Sequence, residues 1–324
     1  METWQVAALT RRTAVIKISV AYYLGIDGGG TKTTCVVGDE TTELATATSG
    51  PSNITRVGEP RARESLREAI RLVCAAAKIG PREVLRACVG VAGVGREEIA
   101  SVVHQIISEV IAGKIEVVGD MQIAMQAAFG TGPGVIVIAG TGSIAYGRNA
   151  HGQTARAGGW GFAISDEGSA HWIGRMAVSS VLREADETAA DTNRQPSTLF
   201  HEMQSVWPVE SVEDLARTAN AAPNFAALLP AVVAASSARD ELARQVLRQA
   251  GRELAQLAGI VVRRLFSPEA AAIPLAMVGG VFRYSAITRE VFGDTLCKLD
   301  ARIEVSPAVV DPVVGALEMA RKPN

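Results

Sequence analysis

Seven consecutive positions, Asp27-Gly28-Gly29-Gly30-Thr31-Lys32-Thr33, bring together a carboxylate, three residues without side chains, two hydroxyls and an amine. Backbone N–H groups freed by glycine can approach phosphate oxygens closely, and an aspartate supplies a hard oxygen for Mg²⁺. A plain hairpin turn with glycines at positive φ fits the same residues. A second cluster, Gly140-Thr141-Gly142-Ser143, is of the size that clamps phosphate, although a single G-x-G turn carries little weight. Gly279-Gly280 makes a third bare stretch of backbone, against which a flat adenine and its ribose could lie, or which could serve only as a tight strand-to-helix turn.

These clusters need strands and helices to hold them. An apolar run at 22–27 and a β-prone run at 33–37 predict two strands joined by the first glycine turn. Leu66, Ala69, Ile70, Val73, Cys74 and Ala77 recur at helical spacing within 59–78, and 86–92 reads as a buried strand. Ile99, Val102, Val103, Ile106, Ile107 and Val110 mark the next helix, and a strand at 115–118 ends at Gly119-Asp120. Asp120 then precedes a helix over 122–129, which makes it a favoured N-cap and also sets it at the bottom of a cleft between lobes.

A second round of the same grammar opens with a strand at 134–139 running into the second glycine cluster, followed by a hairpin turn near 149–152. The stretch 168–266 reads as mostly helical, with a long helix over 239–266. Strands at 274–278 and 302–305 and an amphipathic helix at 311–320 complete the chain. Alternation of this kind predicts an α/β protein of two lobes with mixed sheets flanked by helices around a cleft. The expected division is an extension at 1–20, an N-terminal lobe at 21–132 onto which the closing helix 311–324 packs back, and a C-terminal lobe at 133–310 with a helical elaboration.

Composition narrows the classes. The 324 residues carry a formal net charge of -2 with dispersed Lys and Arg, so the electrostatic footprint of nucleic-acid binding is missing. No apolar run approaches the length of about 20 residues that a bilayer span requires. Residues 1–20 carry Arg11, Arg12 and Lys17 inside a mildly apolar stretch, unlike a secretory signal. Cys35, Cys74, Cys88 and Cys297 form no C-x-x-C pair, which favours reduced thiols and a cytoplasmic setting over a zinc site or a disulfide framework.

Taken together, the three glycine clusters resemble the phosphate and adenosine motifs of the superfamily containing actin, hexokinase and the heat-shock ATPases. The opening Leu24-Gly25-Ile26-Asp27-Gly28-Gly29-Gly30-Thr31-Lys32-Thr33 is similar to that of the BadF/BadG/BcrA/BcrD ATPases, which include N-acetylglucosamine and glucosamine kinases. The resemblance runs from Tyr22 to about Ala320. Its most specific stretch is Gly158-Gly159-Trp160-Gly161 followed by Ser165-Asp166-Glu167-Gly168-Ser169-Ala170-His171-Trp172-Ile173-Gly174, similar to the G-G-W-G and D-E-G-S-x-x-W-I-G segments of those kinases. Read without the family, Trp160 and Trp172 could be buried aromatics and 166–169 an acidic helix start.

The resemblance implies ribonuclease H-like lobes, ATP with Mg²⁺, and phosphoryl transfer to an amino sugar at its 6-hydroxyl. It implies Asp120 as the catalytic base and sugar ligand. Asp27 would organise the metal, with Gly28, Gly29, Gly30, Thr31, Lys32, Thr33, Gly140, Thr141, Gly142, Ser143, Gly279 and Gly280 around the nucleotide. Asn53, Thr141, Gly159, Trp160 and Asp166 would join Asp120 at the sugar. Some members place a serine where this chain has Ala92, a side chain unable to hydrogen-bond an acetamido group, so free glucosamine or another hexose derivative stays open. A homodimer also stays open.

Other classes share parts of this pattern. An activator ATPase for a radical acyl-CoA dehydratase has the same opening but holds an iron–sulfur cluster through cysteines at a dimer interface. A sugar-sensing regulator without catalysis would carry a DNA-binding head, for which the residues before the first strand are too few. An actin-type or chaperone ATPase would leave the Trp160 region unexplained.

Overall fold

The computed structural model describes residues 21–93, 97–189, 196–221, 223–269 and 272–322. The predicted 1–20 extension and the last two residues of the closing segment lie outside them. In chain order the first part runs through β1 (Tyr22–Gly28), β2 (Thr33–Gly38), β3 (Glu43–Ser49), α1 (Ile54–Val57), α2 (Glu59–Ala77), β4 (Val84–Val91), α3 (Glu97–Ser108), β5 (Lys114–Gly119) and α4 (Asp120–Phe129). The second part runs through β6 (Gly134–Ala139), β7 (Ser143–Arg148), β8 (Thr154–Gly158), α5 (Ala170–Glu187), α6 (Thr198–Gln204), α7 (Val212–Asn220), α8 (Leu229–Ser237) and α9 (Glu241–Leu265). It closes with β9 (Ile273–Val278), α10 (Gly280–Tyr284), α11 (Ala286–Leu299), β10 (Ile303–Val310) and α12 (Pro312–Arg321).

Among the described residues the strands form two five-stranded sheets, ordered β3-β2-β1-β4-β5 and β10-β9-β6-β7-β8. In each sheet the first three strands form an antiparallel meander, the fourth adds in parallel beside the first and the fifth in parallel beside the fourth: β1 pairs antiparallel with β2 and parallel with β4, which pairs with β5, and β6 pairs antiparallel with β7 and parallel with β9, which pairs with β10. The doubled path is the two-lobed, actin-like architecture expected from the alternation of strands and helices. β3 has no counterpart among the strands expected from sequence: its Leu44 is exposed and its Ala45 and Ala47 are only partly buried against the sheet core. An edge strand of small and polar residues carries too weak an alternation to stand out.

Each sheet is covered by its own helices because its apolar face must leave water. In the first lobe Leu66, Ile70 and Val73 of α2 and Val103, Ile106 and Ile107 of α3 pack with Leu24, Ile26 and Val89 of the sheet. In the second lobe Leu254, Ala258 and Val261 of α9 pack with Val135, Val137 and Leu275. The remaining faces meet α4 and α12. Ile123 of α4 packs with Cys88, Val118 and Ala316, and its Ala124 and Met125 pack with Ile136, Ala276 and Val278 of the second sheet. One helix therefore touches both sheets, and its first residue is Asp120.

α12 lies against β1 so closely that a Cβ on Gly25 would strike the Leu317 backbone. Its start is fixed by Asp311, whose side chain accepts from Val313 N, and by Pro312 in the first turn.

Candidate active site

Each phosphate-type loop is tied to its own surroundings by backbone hydrogen bonds. In the first, Gly29 N donates to Lys32 O at 3.0 Å, while Gly29 O accepts from Ser52 N at 3.1 Å and Asn53 N at 3.2 Å. The loop carrying Asn53 is thereby held against the loop carrying Thr31. Thr33, expected from the sequence among the nucleotide ligands, is fully buried, and its hydroxyl lies 2.7 Å from both Gly50 O and Ser52 Oγ. Its side chain braces the loops instead of facing a ligand, because its place at the start of β2 turns it into the sheet core.

In the second loop, Gly140 N donates to Gly142 O at 2.9 Å, and Gly140 O and Thr141 O accept from Ala170 N and His171 N at 2.9 and 3.3 Å. These are N–H groups of the first turn of α5, which lack partners inside the helix. Ser143 is likewise buried, with its hydroxyl donating to Glu167 O at 2.7 Å, so it too positions a loop. The N-cap of α5 is Ser169, whose Oγ accepts from Trp172 N. Asp166 itself stands at φ 64° with a buried side chain, accepting from Gly161 N at 3.4 Å. A Cβ on Gly142 would come within 2.6 Å of Asp166 Oδ2, so the loop's lack of a side chain makes room for this carboxylate.

The two loops meet. Thr31 Oγ1 and Thr141 Oγ1 lie 2.6 Å apart across the cleft, a hydrogen bond between residues 110 positions apart in sequence. The third glycine element joins them: Gly279 has φ 103°, and a Cβ there would sit 2.5 Å from Ala139 O, beside Gly140 N. Only glycine serves at that position, where the turn after β9 presses on the turn after β6.

Acidic groups gather on the first-lobe side. Asp27 is the penultimate residue of β1, and its carboxyl is pushed up from the usual 3.8 to about 7, chiefly by burial and then by the charges of Asp120 and Asp311, against a lowering by Lys32. Burial also pushes the Asp120 carboxyl up, although Met121 N donates to its Oδ1 at 3.0 Å and opposes the shift. Gly119 is the N-cap of α4, so the alternative of Asp120 as a helix cap does not describe this helix start. Burial raises Asp166 as well, opposed by the Gly161 and Ser143 backbone N–H groups.

Crowded carboxylates of this kind suit a cation. Among the described residues no three His, Cys, Asp or Glu side chains are grouped to cage a metal by themselves. That donor set fits Mg²⁺, which takes one or two carboxylates and completes its shell with phosphate oxygens and water. Asp27 is a carboxylate held just before the first glycine loop, inside the fields of Asp120 and Asp311.

Trp160 is 68% exposed, with the Arg156 guanidinium 4.3 Å from its ring centre, whereas Trp172 is buried. The view of both tryptophans as core aromatics therefore holds for Trp172 alone. Two further residues were not singled out from sequence. Asp311 enters the field of Asp27 from the end of β10, and its signal was present: an aspartate directly after a parallel strand and directly before a helix, as at Asp120. Arg56 reaches from α1 to Asn224 in the second lobe, Nη2 donating to Oδ1 at 2.7 Å, a contact with no local sequence signal.

Fold and site define a two-lobed ATPase of the actin type, with glycine loops of both lobes in contact and buried carboxylates after the strands of the first. The chain belongs to the BadF/BadG/BcrA/BcrD ATPase family, whose pattern matches residues 24–320. It is 32% identical over 308 residues to an N-acetylmuramic acid/N-acetylglucosamine kinase of Clostridium acetobutylicum, covering 93% of this chain and 98% of that one. It is 30% identical over 319 residues to an N-acetyl-D-glucosamine kinase of Dictyostelium discoideum, covering 94% and 98%. A solved structure of a candidate N-acetylglucosamine kinase from Chromobacterium violaceum superposes with a TM-score of 0.70 at 25% identity, covering 93% of this chain and 99% of that one. Among the described residues no helix is long and apolar enough to cross a membrane.

Proposed function

We propose that this chain is an ATP-dependent amino-sugar kinase that moves the γ-phosphoryl group of ATP to a hydroxyl of an N-acetylglucosamine-type sugar, the 6-hydroxyl being the intended acceptor. The observation that supports the reading is the Thr31–Thr141 contact, which joins the two glycine loops, the first of which follows directly on Asp27, a carboxylate in the field of Asp120. The family and the amino-sugar kinases among its relatives support the substrate class.

In this reading Asp120 accepts the proton of the attacking hydroxyl while the new O–P bond forms and the bond to the β-phosphate oxygen breaks, releasing ADP. Backbone N–H groups of both loops and of the Gly279 turn hold the nucleotide, with Thr31, Lys32 and Thr141 adding hydroxyl and ammonium contacts. Asp27 would hold Mg²⁺, which would supply charge neutralisation for the phosphates. Asn53, Gly159, Trp160 and Asp166 orient the sugar, and closure of the lobes 21–132 and 133–310 excludes water.

The activator-ATPase alternative is disfavoured by its cysteines: Cys35, Cys74 and Cys88 are buried inside the first lobe and only Cys297 is exposed. ADP release with Mg²⁺ present, measured against N-acetylglucosamine, glucosamine, N-acetylmannosamine, N-acetylmuramic acid and glucose, tests the proposal. Strong stimulation by an amino sugar supports it; slow turnover indifferent to every sugar sinks it.

A further inference from the structure

The reaction outlined above uses one cation, Lys32, whose charge acts on Asp27 at the acidic strand ends. A second cation, Arg56, lies where the two glycine loops meet. Its Cδ is 3.5 Å from where a Cβ on Gly30 would be, and that same point is 3.3 Å from Thr141 Oγ1. The short helix α1 that carries it begins directly after Asn53, and Arg56 N donates to Asn53 O at 3.0 Å. Arg56 therefore stands between a residue assigned to the sugar and loops assigned to the phosphates. In a kinase the group that lies between sugar and nucleotide is the phosphoryl group in transit.

The guanidinium reaches across to the second lobe, where its Nη2 donates to Asn224 Oδ1 at 2.7 Å. The neighbouring Phe225 is firmly seated: its ring packs on those of His171 and Trp207, and a Cβ on Gly174 of α5 would collide with its carbonyl oxygen. Burial, and then the charges of Arg56 and Arg175, lower His171, whose backbone N–H donates to Thr141 O. The charge of Arg56 is thus felt at the second glycine loop, as that of Lys32 is felt at the first. Among the described residues no carboxylate forms an ion pair with Arg56, whereas Arg63, Arg71 and Arg217 each have one. Burial holds Arg56 below its usual value.

A guanidinium partly removed from water without a counter-charge is unfavourable until an anion arrives, and its planar fork matches the oxygens of a phosphoryl group. The bond to Asn224 fixes one edge of that fork and leaves the other N–H groups to donate. We propose that Arg56 is a catalytic residue that donates to the non-bridging oxygens of the γ-phosphoryl group during transfer, with Asn224 as the residue that positions it. The proposal rests on the kinase reading and adds to its machinery. The guanidinium keeps all its protons in the step: the acceptor hydroxyl's proton goes to Asp120, the new O–P bond forms, the bond to the β-phosphate oxygen breaks, and ADP leaves. Because a first-lobe residue carries the fork and a second-lobe residue aligns it, the fork is set only when the lobes are together, which couples transfer to closure.

The test measures kcat and both KM values, with the sugar that stimulates wild type most, for wild type, Arg56→Gln, Arg56→Lys, Asn224→Ala and the Arg56→Gln/Asn224→Ala double variant. Thermal unfolding of each variant establishes that it is folded. Arg56→Gln should lower kcat about 10²- to 10³-fold with both KM values within about 3-fold, the pattern of an interaction made only in the transition state. Arg56→Lys should keep part of the rate, having the charge without the fork. Asn224→Ala should lower kcat about 5- to 20-fold in wild type and no further in Arg56→Gln, since it acts through the guanidinium. Guanidinium added in solution should raise kcat of Arg56→Ala where the same concentration of KCl does not, a rescue that a merely structural arginine would not show. Should Arg56→Gln fail to fold, Arg56→Lys decides by the same division between kcat and KM. A raised KM for ATP with kcat unchanged would make Arg56 a ground-state nucleotide contact, a raised KM for the sugar alone would make it a sugar contact, and no change would make it a surface hydrogen bond. Each of these overturns the proposal and leaves the kinase reading standing. If no sugar stimulated wild-type turnover, the kinase reading would fall and this proposal with it.

Discussion

Replacing Asp27 by Asn should stabilise the ligand-free protein at neutral and mildly alkaline pH while removing the carboxylate proposed to hold Mg²⁺. The Asp27 carboxyl titrates near 3.8 when unfolded and at about 7 when folded, so in the window between these values the folded form holds a proton that the unfolded form has lost. Stability contributed by this group is therefore highest below that window and falls as pH rises through it. At about 1.4 kcal/mol per pKa unit the whole shift corresponds to ~4 kcal/mol. The side chain is partly reached by solvent from the cleft, which lowers the expected effect to ~1–2 kcal/mol.

An amide of the same shape is neutral at every pH and gives up the repulsion from Asp120 and Asp311. Urea unfolding of both proteins without nucleotide or Mg²⁺, at about pH 5 and about pH 8, reads the effect. The stability of Asp27→Asn relative to wild type should rise by ~1–2 kcal/mol between the two pH values. The change in the difference isolates the titration from any fixed cost of burying the amide. A difference that stays constant, or that moves against the variant, would refute the account of Asp27 as a crowded carboxylate awaiting a cation. Mg²⁺ with ATP should stabilise wild type more at the higher pH, where Asp27 has lost its proton, and should stabilise the variant less.

Asp120→Asn should lower kcat by about 10²- to 10⁴-fold while nucleotide affinity, followed by fluorescence titration, changes little. Loss of ATP binding with transfer retained would remove Asp120 from its role. A double-mutant cycle of Thr31→Val and Thr141→Val, read by chemical unfolding and by KM for ATP, should give a coupling of ~1 kcal/mol for the hydrogen bond that joins the loops; additive effects would mean that the contact does not tie the lobes. Because Trp160 is 68% exposed, Trp160→Ala should shift stability by no more than about 0.5 kcal/mol yet raise KM for the sugar, and an unfolded variant would show the residue to be structural instead.

What the sequence determined by itself was the set of elements with strong local signals. The first glycine turn, the amphipathic faces of α2, α3 and α9, and the repeated strand-and-helix order are all written in neighbouring residues, because turn chemistry and periodicity act over a few positions. The carboxylates Asp27 and Asp120 were legible for the same reason, each standing where a strand gives way to a glycine turn or a helix. Tertiary structure alone decided which of those residues face the cleft. Thr33 and Ser143 share the composition of ligand-binding loops, yet both are buried braces, since the direction of a side chain at a strand start depends on the sheet it enters. Asp311 joins Asp27 only because α12 returns across the chain to pack on β1, and Arg56 meets Asn224 only because two lobes close on one another. Electrostatic fields and contacts between distant segments depend on distance in space, so their participants cannot be recognised from spacing along the chain.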